Sequence, residues 1–145
     1  MDAAAVFRKA PFVAALGIEP DSIGEGRCRS RLDLTEHHLQ QDGYVHAGVL
    51  ATMADHSAGA AAASLLREGE IVLTAEFKIS LVRAARGERL RCDAEVIKPG
   101  SRVSFAEATV YCESGGVEQM AARATVSLAV VPSKRSAAEG GDENG

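Results

Sequence analysis

The sequence has few aromatic residues and no excess of positive charge. Aromatic residues make up 4% of the 145 residues, tryptophan is absent, and the formal net charge at pH 7 is −4. Proteins that bind single-stranded nucleic acids stack bases on aromatic side chains, and basic surfaces are typical of nucleic-acid-binding proteins in general. The composition therefore argues against nucleic-acid binding. A hydrophobic content of 46% with 25% charged residues is instead typical of a soluble globular domain.

Cysteine pairs and long apolar runs are also missing. Cys28, Cys92 and Cys112 are odd in number, lie far apart and form no CxxC pair. This pattern predicts reduced thiols in a cytoplasmic protein. The first residues have no basic start followed by a continuous apolar stretch, so no signal peptide is predicted. The segment after His46 is interrupted by Asp55 and small residues, which argues against a membrane span.

The periodicity of the chain predicts an α+β fold. Amphipathic segments predict a helix over residues 3–16, which Pro11 can break, and a longer helix over about residues 47–67. Five other stretches alternate between apolar and polar residues, as strands do. These stretches are 26–34, 71–81, 90–96, 102–112 and 120–130.

Short links between the last three predicted strands indicate an antiparallel meander. We therefore expect a single domain over residues 1–131, in which an antiparallel sheet of about five to six strands wraps one long central helix. Residues 132–145 are polar and rich in glycine, so a disordered tail is predicted there.

The strand predicted over residues 71–81 has one clear apolar face. Alternate residues of a strand share a face. The apolar set is Ile71, Leu73, Ala75, Phe77, Ile79 and Leu81. Strict alternation then places Thr74 on the opposite face, together with Glu76 and Lys78.

Residues 40–59, QQDGYVHAGVLATMADHSAG, contain the most informative motif. A polar turn with a glycine leads through His46 into a helix that carries one carboxylate, Asp55. On a helical projection at about 100° per residue, Asp55 shares its face mainly with small residues. They are Gly48, Ala51, Thr52, Ala58, Gly59, Ala62 and Leu66. Such a face lets a ligand or a second backbone approach closely, and a carboxylate there is costly unless something uses it.

This motif, with the order and lengths of the predicted elements, resembles the hotdog-fold acyl-CoA thioesterases of the PaaI-like (phenylacetate-pathway) type. In that family an amide residue precedes G-x-[VIL]-H-G-G, and an acid follows nine residues after the histidine. The matching positions here are Gln40, Gly43, Val45, His46, Gly48 and Asp55. The resemblance covers roughly residues 5–131 and includes the segments AEFKISLVRAARGERL and KPGSRVSFAEATVY. Two positions depart from the family pattern, because Ala47 replaces a glycine and Gln40 replaces the commoner asparagine.

The resemblance implies hydrolysis of an acyl-CoA or aryl-CoA thioester. Asp55 would act as general base or as nucleophile, and the sequence leaves both open. The backbone N–H of Ala47, with Gly48 beside it, would lie at the helix N-terminus and stabilise the oxyanion. Gln40 would orient the carbonyl group or the water, and His46 would mainly shape the turn.

The resemblance also implies a site shared by two chains of a homodimer, with a dimer of dimers as the expected assembly. The family's hydroxyl-bearing position on the second strand falls on Thr74, whose predicted orientation suits a subunit junction better than a site within one chain. Two basic turns would bind the CoA phosphates by charge-assisted hydrogen bonds. Their residues are Arg83, Arg86, Lys98, Gly100, Ser101 and Arg102. No cofactor or metal is expected, since CoA is part of the substrate.

Other functions fit parts of the pattern. A non-catalytic hotdog module that binds or senses acyl-CoA would have a further domain or lack the acid. A hotdog hydratase or dehydratase would carry its histidine and acid at other positions. Asp55 could also be a structural acid inside a dimer, and Thr74 an ordinary strand threonine. The four histidines show no recurring ligand spacing that would favour a metal site.

Overall fold

Two short helices precede the sheet. The computed structural model describes residues 2–134. α1 spans Ala3–Arg8 and α2 spans Pro11–Leu16. The segment predicted as one helix is therefore two, with Pro11 at the first position of α2, where its missing N–H costs no hydrogen bond.

The sheet has six antiparallel strands, which confirms the predicted architecture. They are β1 Glu19–Gly24, β2 Arg27–Asp33, β3 Glu70–Leu81, β4 Arg89–Lys98, β5 Val103–Ser114 and β6 Val117–Pro132. Their order across the sheet is β1-β2-β4-β5-β6-β3, so the last three strands form the expected meander. β1 was not among the five stretches predicted, because its sequence EPDSIG does not alternate. The sheet extends to Pro132, and residues 135–145 of the predicted tail lie outside the described part of the chain.

One long helix, α3, spans Ala47–Ala63 and packs on the inner face of the sheet. Buried alanines form much of the contact, which lets helix and sheet approach closely. The helix ends before the predicted Arg67 because Ser64 closes it. The Ser64 N–H donates to the Ala60 carbonyl at 3.2 Å, and its hydroxyl accepts the Gly26 N–H at 2.8 Å. Within residues 2–134, no helix has both the length and the apolar character that crossing a membrane requires.

The outer face of the sheet divides into a charged region and an apolar corner. In the charged region, side chains on neighbouring strands pair with one another, as in Arg29–Asp93 at 2.9 Å and Arg91–Glu118 at 2.7 Å. The apolar corner lies where β3, β6 and β5 meet, and its large side chains are between 38% and 56% exposed. We call it the outer apolar patch, and it consists of Ile71, Leu73, Val103 and Phe105.

Candidate active site

The centre of the candidate site is a hydrogen bond between α3 and β3. The Thr74 hydroxyl donates to Asp55 Oδ1 at 2.6 Å. Asp55 is half-buried and Thr74 is exposed, so the pair lies at the surface. The hydroxyl orients one carboxylate oxygen, and the second remains available to a water molecule or a substrate.

A bulge in β3 explains why Thr74 faces Asp55. Paired residues of antiparallel strands share a face, and Thr74 pairs with the buried Leu128. After the irregularity at Ala75, Phe77 pairs with Val126 on the same inner face. Thr74 therefore lies opposite Leu73, as predicted, but the prediction that it shares a face with Glu76 and Lys78 was wrong, because the extra residue reverses the alternation beyond it.

His46 caps the start of α3. Its Nδ1 accepts the Gly48 N–H at 2.8 Å, and its carbonyl accepts the Val49 N–H at 2.9 Å. A Cβ on residue 48 would lie 3.0 Å from that same Nδ1, so glycine keeps room for the imidazole. The imidazole thus has a structural task at the turn, in line with the sequence interpretation.

The first N–H of α3 is the one that remains for a ligand. The Gly48 N–H is already bonded to His46, whereas the Ala47 N–H has no partner within residues 2–134. Both residues are exposed. A helix N-terminus with an uncommitted N–H is suited to binding a developing negative charge. Of the two donors suggested by the sequence, only Ala47 is uncommitted.

Gln40 holds the turn that leads into α3. Its Oε1 accepts the Asp42 N–H at 2.5 Å and the Tyr44 N–H at 3.3 Å. Its backbone N–H donates to the Tyr44 carbonyl at 2.7 Å. In the single chain this amide therefore stabilises the turn, and no hydrogen bond joins it to Asp55.

The helix keeps the candidate donor and the candidate acid apart. Ala47 is the first residue of α3 and Asp55 follows eight residues later, a separation of about 12 Å along the axis. Reacting atoms must approach within roughly 3–3.5 Å. The two groups of one chain are therefore separated along the helix by several times this distance.

The two predicted CoA-binding turns lie at opposite ends of α3. Arg86 is at the helix start, with its guanidinium 5.7 Å from the Tyr44 ring centre. Arg83, in the same turn, donates to the Met120 carbonyl at 3.4 Å. The segment of Lys98, Gly100, Ser101 and Arg102 is near the helix end, where Gly100 and Ser101 line a cleft of about 260 Å³ with Ala62 and Leu65. The two turns therefore do not meet within one chain, and their joint contact with the CoA phosphates stays a prediction for the dimer.

Part of the small-residue face is internal. Ala58 and Ala62 are buried in the chain's own core, at 0% and 3% exposure. Gly48 is exposed, and Ala51 and Gly59 are half-buried. Only these last three, with Thr52, remain open to a neighbour, so the face is narrower than the helical projection predicts.

The cysteines and histidines do not form a second reactive centre. Burial raises the pKa of Cys28 and of Cys92 to about 12, which keeps both thiols protonated. No cluster of three or more histidine, cysteine, aspartate or glutamate residues within residues 2–134 could hold a metal ion. The sequence suggests His38 only as a metal ligand. In the structure it is 5% exposed, and its imidazole is hydrogen-bonded to the Leu16 carbonyl at the end of α2. The sequence signal was Thr35 with a histidine three residues later, the spacing of a capping box.

The segment that builds this site matches a known family model. The model is that of the Thioesterase superfamily, and it covers residues 42–119, more than half of the chain. The chain belongs to the thioesterase superfamily. The match contains the end of the turn before α3, all of α3 and all of β3, so Ala47, Asp55 and Thr74 lie within the shared region, whereas Gln40 lies two residues before it.

Solved structures and related sequences agree with this assignment. A thioesterase family protein from Silicibacter pomeroyi has the same fold, with a TM-score of 0.87, 36% identity, and coverage of 90% of this chain and 96% of that one. The hotdog fold is thereby confirmed. A proposed esterase of Halobacterium salinarum is 35% identical over 100 residues, which is 66% of either chain. A 1,4-dihydroxy-2-naphthoyl-CoA hydrolase of Listeria monocytogenes is 29% identical over 99 residues, 68% of this chain and 80% of that one.

Proposed function

We propose that this member of the thioesterase superfamily hydrolyses acyl-CoA or aryl-CoA thioesters to free CoA and a carboxylic acid. The observation that carries the proposal is the 2.6 Å hydrogen bond from Thr74 to the half-buried Asp55, on the side of α3 that other elements leave open. Family membership supports thioester hydrolysis in general. The name of the Listeria relative supports a CoA ester as the substrate.

Asp55 acts on the thioester carbon either through water or directly. As general base it removes a proton from water, and the water oxygen forms the new bond as the C–S bond breaks. As nucleophile it forms a mixed anhydride, which water then hydrolyses. Label found in the Asp55 carboxylate after turnover in H₂¹⁸O would establish the anhydride, because it requires water attack at the aspartyl carbonyl of that intermediate.

The oxyanion that develops on the carbonyl oxygen is stabilised by the Ala47 N–H. Removing one such donor typically costs about 10²–10³ in turnover. The methyl group of Ala47 is on the side chain and leaves the N–H in place. Gln40 positions the turn around the carbonyl, and His46 holds the helix start.

The site is completed by a second copy of the chain. Supporting this, β3 pairs only with β6 among residues 2–134, and its other edge is open there, with Phe77 39% and Leu81 50% exposed. Twofold pairing along β3 makes the two α3 helices antiparallel neighbours. Each helix start then approaches the partner's Asp55. The same rotation brings the Arg83–Arg86 turn of one chain towards the Lys98–Arg102 turn of the other, for the CoA phosphates.

Two dimers associate through the outer apolar patch. The charged part of that face is neutralised by its own ion pairs, whereas the patch exposes up to 56% of its large side chains. A double change, Val103→Glu with Phe105→Glu, should convert a tetramer to an active dimer in sedimentation equilibrium. Thr109→Glu, on the outer face of the same strand, is the control that should leave the tetramer intact. A wild type that is dimeric at all micromolar concentrations would contradict this assembly.

The protein belongs to the PaaI-like branch and works in the cytoplasm without a metal or other cofactor. The motif spacing around His46 and Asp55 supports the branch. The three cysteines are free and buried, as in proteins of reducing compartments. Inclusion of a chelator in the assay should leave CoA release unchanged.

The decisive experiment is a CoA-release assay with a thiol-reactive dye. The panel contains short-chain, long-chain, benzoyl, phenylacetyl and naphthoyl CoA esters. It is broad because the motif around His46 and Asp55 recognises the thioester and not the acyl group. Release of free CoA from at least one ester at saturable rates is expected. Tight binding of every ester without CoA release would instead favour the acyl-CoA-sensing module.

A further inference from the structure

The imidazole of His38 is buried between the end of α2 and the turn before α3. Its Nε2 lies 2.6 Å from the Leu16 carbonyl oxygen, and its Nδ1 lies 3.0 Å from the Thr35 backbone nitrogen. A carbonyl only accepts and an amide N–H only donates. These contacts therefore use the tautomer in which Nε2 donates and Nδ1 accepts, and both ring nitrogens are engaged.

His38 is linked to the helix start through its own backbone. Its carbonyl oxygen accepts the His46 N–H at 2.8 Å. His46 in turn caps α3 by accepting the Gly48 N–H on Nδ1 at 2.8 Å. The Ala47 N–H lies between these two contacts in the chain. Two histidines in series thus fix the peptide unit that carries the candidate oxyanion donor.

We propose that His38 is a positioning residue for thioester hydrolysis, acting through His46 on the direction of the Ala47 N–H. The inference rests on the proposed function, because it assigns that N–H to the oxyanion. His38 itself touches no substrate: at 5% exposure it is inside the protein. Its contribution is to hold the donor where charge develops in the transition state.

The position of the contacts favours this role over general stabilisation. An exposed turn before a helix is mobile unless it is tied to rigid elements. The only side chain of the segment Glu36–His38 that reaches the first helices is His38, within the described residues. An oxyanion donor acts because it is already oriented when charge appears, so a small loss of alignment lowers kcat more than it weakens substrate binding.

The test replaces His38 in two ways. His38→Leu removes both ring contacts and keeps an apolar side chain in the core. His38→Asn keeps an acceptor at the place of Nδ1 for the Thr35 N–H but loses the contact with Leu16. His37→Asn changes the exposed neighbour in the same turn and serves as the matched control.

His38→Leu should lower kcat roughly tenfold or more, since misplacement of a catalytic group by about 1 Å can cost 10²-fold. KM should stay within about twofold of the wild type. His38→Asn should recover part of the loss, and His37→Asn should match the wild type. Hydrogen exchange of the backbone over residues 45–50 should be faster in His38→Leu than in His37→Asn.

Unchanged kcat in both His38 variants would overturn the inference, as would equal exchange rates over residues 45–50. If His38→Leu fails to fold, His38→Asn decides by the same two measurements. A wild type that releases no CoA from any ester refutes the proposed function instead. The exchange rates then still show whether His38 fixes the helix start.

Discussion

The two edges of the sheet, β1 and β3, are built differently. β1 has six residues, includes Pro20, and has an irregularity before Ser22. The side chain of Asp21, at this irregularity, forms an ion pair with Arg31. β3 has twelve residues and exposes large apolar side chains along its length. Edge strands of monomeric proteins are kept short or interrupted by proline and charge. β1 follows that rule, whereas β3 keeps a long edge open.

The candidate site lies at the open edge. The inner face of β3 carries Thr74, and the adjacent side of α3 carries Asp55. A carboxylate also lies at the β1 edge, but there Asp21 is neutralised by an arginine on the neighbouring strand. We propose on this ground that the β3 side serves association and chemistry and that the β1 side serves neither.

Replacing the carboxylate of Asp55, at the β3 edge, should have the largest effect on kcat. Asp55→Asn should lower kcat roughly 10²–10⁴-fold, the usual contribution of a general base, because an amide neither removes a proton nor attacks the carbonyl. The variant should still fold and dimerise, since the Thr74 hydroxyl can donate to the amide oxygen. CoA release and sedimentation measure the two properties.

Asp21→Asn is the matched change at the β1 edge and should leave kcat unchanged. Its ion pair is exposed, so it contributes little to stability. Near-wild-type turnover by Asp55→Asn would remove the acid from the mechanism and leave the two edges chemically equivalent.

A proline in each edge should separate their roles in assembly. Ala75 is the extra residue of the β3 bulge and Asp21 that of the β1 irregularity, so neither is paired across its ladder. In a dimer paired along β3 this strand would lie between two neighbours, where proline is poorly tolerated, so Ala75→Pro should dissociate the dimer and abolish most CoA release. Asp21→Pro should remain dimeric and active. Sedimentation velocity at matched concentrations tests both, and a dimeric Ala75→Pro would exclude pairing along β3.

The fold was predictable because its longest elements have clear periods. β6 alternates over most of its length, and the segment after His46 is small and apolar enough to be a central helix. β1 was missed because an edge strand with a proline and a bulge has no period to detect. The end of α3 was misplaced because a long-range contact, Ser64 to Gly26, closes it.

The spacing within the candidate site could be read from the sequence, but its geometry could not. His46 and Asp55 are nine residues apart in one turn and helix, so a sequence motif is enough to predict their spacing. The orientation of Thr74 depends on a bulge at Ala75, which shifts pairing with β6 and leaves no mark in the sequence period. The role of His38 depends on the Leu16 carbonyl, 22 residues away in the chain. Contacts of this kind follow from the folded topology alone.

Mixed dimers should show whether the open edge builds one site from two chains. Gln40→Ala and Asp55→Ala are each expected to be inactive alone, because one disables the turn and the other the acid. Co-expressed, they should recover up to about a quarter of wild-type activity, since random pairing gives heterodimers half the time, each with one intact site of two. Purified heterodimers no more active than either parent would place each site within one chain. A heterodimer of wild type with the double variant Gln40→Ala/Asp55→Ala should be inactive, because each of its two shared sites contains one altered residue; a site built within one chain would instead leave half of the activity.

Two glycines should show the smallest effect. A Cβ added at Gly59 on α3 or at Gly24 at the end of β1 would meet no atom within 4 Å in the single chain. Glycine in a helix or strand costs roughly 0.5–1 kcal/mol relative to alanine. Gly24→Ala at the closed edge should therefore raise Tm by about 1–4 °C.

Gly59→Ala should not bring the same gain, because Gly59 is one turn beyond Asp55 on the side that the partner helix or the acyl group fills. Unchanged or lower Tm with a reduced kcat/KM is expected, measured by thermal unfolding and the CoA-release assay. If Gly59→Ala raised Tm as much as Gly24→Ala and left kcat/KM unchanged, this turn of α3 would be exposed to solvent in the assembled protein. The space beside Asp55 would then have to extend towards Thr52 and Gly48 instead, and the partner helix would cross α3 nearer to its start.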